Sequence, residues 1–244
     1  MFIGEYSIDG GVAMSIAQHI EEIWQNIEQA SLIRQQRNLE ARSVKLVAVT
    51  KNHDPEIIQK AIDSGIHAVG ENRVQEALSK QPILGRQLEW HLIGHLQTNK
   101  ARQAVPAFDL IHSVDNEKLA LEIDRVAAKF GKRQDILLQV NVAGEATKFG
   151  IATEQLQKLV HFVAGLKNVQ LCGLMTIAPH YEETETVRPV FRELHNLFVE
   201  LREARLPNTN IQWLSMGMTN DYQIAIEEGS NLVRIGTGIF GTRQ

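Results

Sequence analysis

Lys51 ends the apolar run Leu46-Val47-Ala48-Val49-Thr50. An ammonium group is normally solvated, yet this one follows a β-branched stretch that reads as a buried strand. At the carboxyl end of a parallel strand, such a side chain points to where α/β folds keep their ligands. Burial disfavours a charged amine and makes it a nucleophile for aldehydes. The plainer alternative is a lysine that caps a strand and reaches solvent. Other residues with chemical potential also fall just after apolar runs. They are Asn52, Glu71-Asn72-Arg73, His91 with Gly94-His95, Ser113, Asn141, Lys148 and Met175.

Two further segments look built for an anion. Ser215-Met216-Gly217-Met218-Thr219-Asn220 follows the seventh apolar run, and Gly236-Thr237-Gly238 follows the eighth. Glycines let a backbone approach a ligand closely, and Ser or Thr hydroxyls add hydrogen bonds. Either turn alone could be only a tight turn. Together they occupy the two loops that usually hold phosphate in barrel folds. A nucleophilic lysine facing a phosphate cradle calls for a ligand with an aldehyde at one end and a phosphate at the other. Pyridoxal 5'-phosphate (PLP) fits, held as a lysine Schiff base. A Schiff-base aldolase acting on a sugar phosphate also fits, with Glu71 or His91 as its acid/base.

The elements that must position these residues alternate along the chain. An apolar stripe of Ile16, Ile20, Ile23 and Ile27 with Trp24 predicts a first helix over 15–38, with Ser15 as its cap. Strands are predicted at 45–50, 68–69, 88–93, 110–114, 136–142, 169–177, 211–214 and 232–235. Helices are predicted at 55–64, then after Asn72 as far as 79, and at 98–105, 115–130, 153–164, 182–204 and 219–228. Asp54 and Pro55 open the first of these and Gly65 closes it. Eight strands each followed by a helical segment predict an α/β fold: a single (β/α)8 TIM barrel with an extra N-terminal helix. A doubly wound open sheet is the alternative, disfavoured because no glycine-rich turn follows the first strand. Residues 1–13 are glycine-rich and patternless and are expected to be a disordered leader, with one barrel domain over 14–244.

The segments LVAVTKNHDPEIIQKAIDSGIHAVGENRVQEALSK, WHLIGHLQTNKAR and LSMGMTNDYQIAIEEGSNLVRIGTGIFG give a specific likeness. Over about 15–240 the chain resembles the pyridoxal phosphate homeostasis protein family, itself similar to the N-terminal barrel of alanine racemase. The resemblance implies that Lys51 carries the cofactor and that Arg234 faces the pyridine nitrogen. It implies Ser215, Met218, Thr219, Gly236 and Thr237 around the phosphate, with Asn72 and His91 along the ring. A guanidinium is always protonated, so it donates to the ring nitrogen and leaves a weaker electron sink than a carboxylate would. The racemase also has an added β-domain and a partner-subunit tyrosine as second base. This chain ends at Gln244, and Tyr6, Tyr181 and Tyr222 have no evident claim to that role. The expectation is therefore a non-catalytic protein of PLP (vitamin B6) homeostasis that buffers or delivers the cofactor. PLP-dependent apoenzymes or regulatory proteins are its expected partners, and a monomer its expected state. A racemase or aldolase is the enzymatic alternative.

Composition excludes other classes. A net charge of −4 with mixed acids and bases gives no basic block for nucleic acid. No stretch approaches the roughly 18 continuous apolar residues of a membrane span, and no secretory signal is evident. One cysteine, Cys172, allows no internal disulfide, which suits a reducing cytoplasm. His91 and His95 have the spacing of a helical metal pair, but Gly94 and the strand context break that helix, so no metal site is expected. His19, His161 and His195 are expected on helix surfaces or core edges, and Glu182-Glu183-Thr184-Glu185 as an acidic first turn.

Overall fold

The structure, a computed structural model, describes residues 14–241 apart from 86, 146, 180 and 182. The leader expected over 1–13 and Glu182 of the acidic turn lie outside the described residues.

Eight parallel strands close into a barrel in sequence order. They are β1 (Lys45–Val49), β2 (Ala68–Glu71), β3 (Glu89–Leu92), β4 (Leu110–Val114), β5 (Gln134–Gln139), β6 (Val169–Met175), β7 (Thr209–Ser215) and β8 (Leu232–Ile235). The helices are α1 (Ile16–Gln36), α2 (Pro55–Asp63), α3 (Val74–Leu84), α4 (Ala101–Ala107), α5 (Glu117–Lys129), α6 (Thr153–Ala164), α7 (Arg188–Glu203), α8 (Tyr222–Glu227) and α9 (Thr237–Phe240). The single TIM barrel with an extra N-terminal helix is therefore the fold, and the open sheet is excluded. No helix among the described residues is long and apolar enough to cross a membrane.

Side-chain alternation along each strand divides the interior in two. Outward residues such as Leu46, Ala48, Trp90 and Leu92 pack under the helices. Inward residues Val47, Ala68, Leu110, Leu137, Cys172, Met175 and Leu232 fill part of the cylinder itself. The helices supply matching stripes: α5 buries Leu119, Ala120, Ile123, Val126 and Ala127, the 3.6-residue period of one apolar face. Register shifts between Ile111 and Val114 on β4, and again at Gly173, where it shifts against both β5 and β7. There φ is +150° and a Cβ would stand 1.8 Å from the Trp213 carbonyl oxygen, so only glycine fits.

α1 starts at a capping box between Ser15 and Gln18, as its sequence suggests. It buries Ile20, Ile23, Ile27, Ala30 and Arg34, whereas Trp24 turns out of that stripe and is exposed. Arg34 donates to the Ser230 carbonyl at 3.1 Å, and His19 Nδ1 donates to the Ile239 carbonyl at 3.0 Å. The extra helix thus spans the closing seam between β8 and β1.

Some boundaries differ from expectation for local reasons. β2 continues through Gly70 and Glu71, because the Ile93 N–H donates to the Glu71 carbonyl at 3.0 Å. α3 runs past Ser79 with Pro82 inside it. Helix five is capped by Asn116, not Asp115: its side chain accepts from the Leu119 N–H at 2.9 Å. The long predicted helix before Ala204 begins as a 3-10 turn over Thr184–Val187 and becomes α7 only at Arg188. α8 begins at Tyr222, because Asp221 caps the Met218 N–H at 2.6 Å and holds the preceding residues as a turn.

Candidate functional site

Val47, Val49 and Lys51 share one parity on β1, so the lysine projects on the inner side of the barrel mouth. Thr50 between them faces outward and is pinned there. Its hydroxyl donates to Glu71 Oε1 at 2.7 Å, and its carbonyl accepts from Lys80 Nζ at 2.8 Å and from the His53 N–H at 3.1 Å. Asn52 completes the turn at φ +58°, a left-handed conformation that Asn tolerates better than most side chains. Lys51 itself is half-buried.

The mouth holds a cavity of about 270 Å³ where β1, β7 and β8 meet. Lys51, Met218, Thr219, Arg234, Gly236 and Thr237 line it together with Val49, Ala178, Pro179, Asn220 and Asp221. Six of the nine residues expected at a cofactor therefore converge on one space. Thr219 ties the last two loops together: its hydroxyl stands 3.1 Å from that of Thr237 and accepts from the Gly238 N–H at 3.2 Å. A Cβ on Gly238 would lie 2.9 Å from Ile235 Cγ2 and 3.2 Å from Thr219 Cγ2, so glycine permits this close approach.

Arg234 forms the floor. NH2 donates to the Thr176 carbonyl at 2.8 Å and NH1 donates to Ser215 Oγ. Complete burial pulls its pKa down to about 10, with Asp221 opposing, so it stays cationic at neutral pH.

Three expected residues lie elsewhere. Ser215 does not line this cavity: as the last residue of β7 it shares the inward parity of Trp213, and it is fully buried, bonded to Arg234. His91 also points into the cylinder and does not line the cavity, with Nδ1 2.9 Å from His112 Nε2 and Nε2 2.9 Å from Glu89 Oε1. Asn72 stands half-buried in the turn after β2, with Gly94 packed against its backbone, and does not line the cavity. Glu71, the acid/base of the aldolase alternative, faces outward to Thr50 and Lys80. Burial raises its pKa, with the Lys80 and Thr50 hydrogen bonds opposing. His95 turns away from His91 and stacks on Phe149 at 3.9 Å.

Sequence reading missed His112, Thr50, Lys80 and Asp221. Strand parity was the available signal for His112, which sits two residues beyond the inward Leu110.

The chain is similar to known proteins over most of its length. Residues 21–244 match the family model for the alanine racemase N-terminal domain. A pyridoxal phosphate homeostasis protein of Aquifex aeolicus is 47% identical over 201 residues, covering 82% of this chain and 87% of that protein. Its counterpart in Vibrio cholerae is 41% identical over 237 residues, covering 94% and 97%. The chain belongs to the pyridoxal phosphate homeostasis protein family. Within structures similar to this homeostasis barrel, PipY of Synechococcus elongatus PCC7942 superposes with a TM-score of 0.82 at 36% identity, covering 93% of this chain and all (100%) of PipY. PipY has also been solved with PLP bound, and that form superposes at 0.79. Alanine racemase of Clostridium difficile 630 superposes at 0.66 with 17% identity, a likeness of fold alone.

Proposed function

We propose that this member of the homeostasis family binds PLP at the mouth of the barrel and holds it without turning over amino acids. The observation that carries this reading is the convergence of Lys51, Arg234 and the Thr219–Gly236–Thr237 loops on one cavity. Lys51 would hold the cofactor through its amine, the one nucleophilic amine among the described residues lining the cavity, at the aldehyde end. Thr219 and Thr237 hydroxyls and the glycine-bearing backbone receive the phosphate. Arg234 donates to the pyridine nitrogen and keeps it unprotonated. When bound, the cofactor supplies an electron sink, which a nitrogen facing arginine makes shallow.

The ionisable side chains lining the cavity, among the described residues, are Lys51, Asp221 and Arg234. Asp221 accepts from the Met218 N–H at 2.6 Å and braces the loop. Inversion at a substrate carbon calls for two opposed bases, and this lining supports binding better than such a pair. We read the role as buffering or delivering PLP in the cytoplasm, to apoenzymes or regulatory partners, by a monomeric protein.

An absorbance spectrum tests the reading. Purified protein with PLP should show an imine band that Lys51→Ala abolishes. Wild-type protein that takes up no PLP would overturn it. Incubating loaded protein with L- and D-amino acids in deuterated water should give no turnover-rate exchange at the α-carbon. Such exchange would favour the racemase, and borohydride trapping only with a sugar phosphate would favour the aldolase.

A further inference from the structure

A continuous file of polar side chains crosses the barrel interior from one mouth to the other. It begins at Glu89, the first residue of β3, where Oε2 accepts from Lys45 Nζ at 2.5 Å. Glu89 Oε1 is 2.9 Å from His91 Nε2, and His91 Nδ1 is 2.9 Å from His112 Nε2. His112 Nδ1 is 3.0 Å from Ser215 Oγ, which accepts from Arg234. His91, His112 and Ser215 are wholly inaccessible to solvent, in a cylinder otherwise filled by apolar groups.

With both rings neutral, the two ends set the direction of every bond between them. A carboxylate only accepts, so His91 Nε2 must carry a proton. A neutral His91 then has a bare Nδ1, which takes the N–H of His112 Nε2. A neutral His112 in turn has a bare Nδ1, which takes the Ser215 hydroxyl proton. Ser215 keeps a lone pair for Arg234. Burial, with the charges of Arg234 and Lys45 adding to it, holds the His112 pKa well below its usual value, in keeping with a neutral ring. One proton taken up from solvent onto His91 reverses the file. His91 Nδ1 then donates to His112 Nε2, His112 carries its proton on Nδ1, and Ser215 must accept from both His112 and Arg234.

We propose that Glu89, at the opposite mouth, is a positioning residue for Arg234, acting through His91, His112 and Ser215 to set how the guanidinium is presented to the cofactor site. In naming the group that Arg234 meets, this inference rests on the PLP reading above; the file itself does not. The charged groups around the two rings are Glu89 on β3, Lys45 on β1 and Arg234 on β8, with Asp135 on β5 close enough to Glu89 for their charges to interact. Glu89 also lines a separate cavity of about 270 Å³ at the lower mouth, with Lys45, His67, Trp24 and Trp213. Its charge is therefore open to the medium while its effect is delivered inside.

The test uses Glu89→Gln, which removes the charge at a partly exposed site, and Ser215→Ala, which cuts the last link. Imidazole nitrogen resonances of the full chain without added PLP should show His112 protonated on Nε2, and Glu89→Gln should shift both His91 and His112. In PLP-loaded protein, the pH midpoint of the absorbance titration should move on the order of half a unit to one unit in Glu89→Gln. Ser215→Ala should abolish that response to Glu89→Gln in the double variant. His112 protonated on Nδ1 while His91 is neutral, or resonances and midpoint unchanged in Glu89→Gln, would overturn the proposal. If wild-type protein takes up no PLP, the cofactor reading fails while the resonances still decide the relay.

Discussion

Lys80, on α3, donates to the main-chain oxygen of Thr50 at 2.8 Å, and Thr50 immediately precedes Lys51. The same ammonium is 2.7 Å from Glu71 Oε1, so one buried ion pair grips the strand end that presents Lys51. Removing one partner from a buried pair leaves the other charge uncompensated. Lys80→Met should therefore cost about 3–5 kcal/mol of stability. Replacing both partners, in Lys80→Met with Glu71→Leu, should recover much of that loss in a urea melt. PLP loading should stay weakened in the double variant, because the grip on the Thr50 carbonyl is still missing. Full recovery of loading would show that the pair serves stability alone.

Arg234 should limit the chemistry of the bound cofactor. In Arg234→Glu a carboxyl group faces the ring nitrogen and favours its protonated form, a deeper electron sink. Loaded Arg234→Glu should exchange amino-acid α-protons with deuterated water faster than wild type. Its fold is checked by circular dichroism, since the change also leaves Thr176 and Ser215 without their donor. An exchange rate equal to that of wild type would count against the assigned role.

Gly173 should tolerate no side chain. A Cβ would meet the Trp213 carbonyl at 1.8 Å, so Gly173→Ala must push β6 from β7. A loss of at least about 2–3 kcal/mol is expected, read as a lowered urea midpoint. Gly65→Ala makes a useful control, because its φ is also positive, at +92°, but its Cβ meets nothing within 4 Å. It should be the milder of the two.

Acid should uncouple the lower mouth of the barrel. Burial alone would raise the Glu89 pKa, but hydrogen bonds and charge from His91 and Lys45 win and hold it at about 2, against an ordinary 4.5. A carboxylate depressed on folding stabilises the native state above its unfolded pKa. That contribution is complete above about 4.5 and is lost as pH falls toward about 2. The stability difference between wild type and Glu89→Gln should shrink across this window in urea melts. A difference independent of pH would contradict the assignment.

The barrel and much of its upper mouth were legible in the sequence because both rest on local periodicity. Lys51 follows the parity of Val47 and Val49, and Arg234 that of Leu232, so their inward direction could be counted along each strand. Loop residues Thr219, Gly236 and Thr237 follow from their place after the last two strands. Ser215 and His91 stand off the cavity lining because strand parity turns both into the cylinder, a direction that their place near a strand end does not reveal. Parity also decides Glu71: Gly70 pairs with the inward His91, so its neighbour must face the helices. The file through His112 was not legible as a unit, because its members lie on four strands and only the closed barrel makes them neighbours.

The cavity is assembled across the seam where β1 pairs with β8, from Lys45–Leu232 to Ala48–Ile235. Lys51 comes from the first strand made and Arg234, Gly236 and Thr237 from the last. During synthesis the lysine therefore leaves the ribosome long before the residues that complete the cavity around it. The cavity itself must wait for closure of the cylinder, so a nascent or seam-opened chain presents Lys51 without the residues that enclose it.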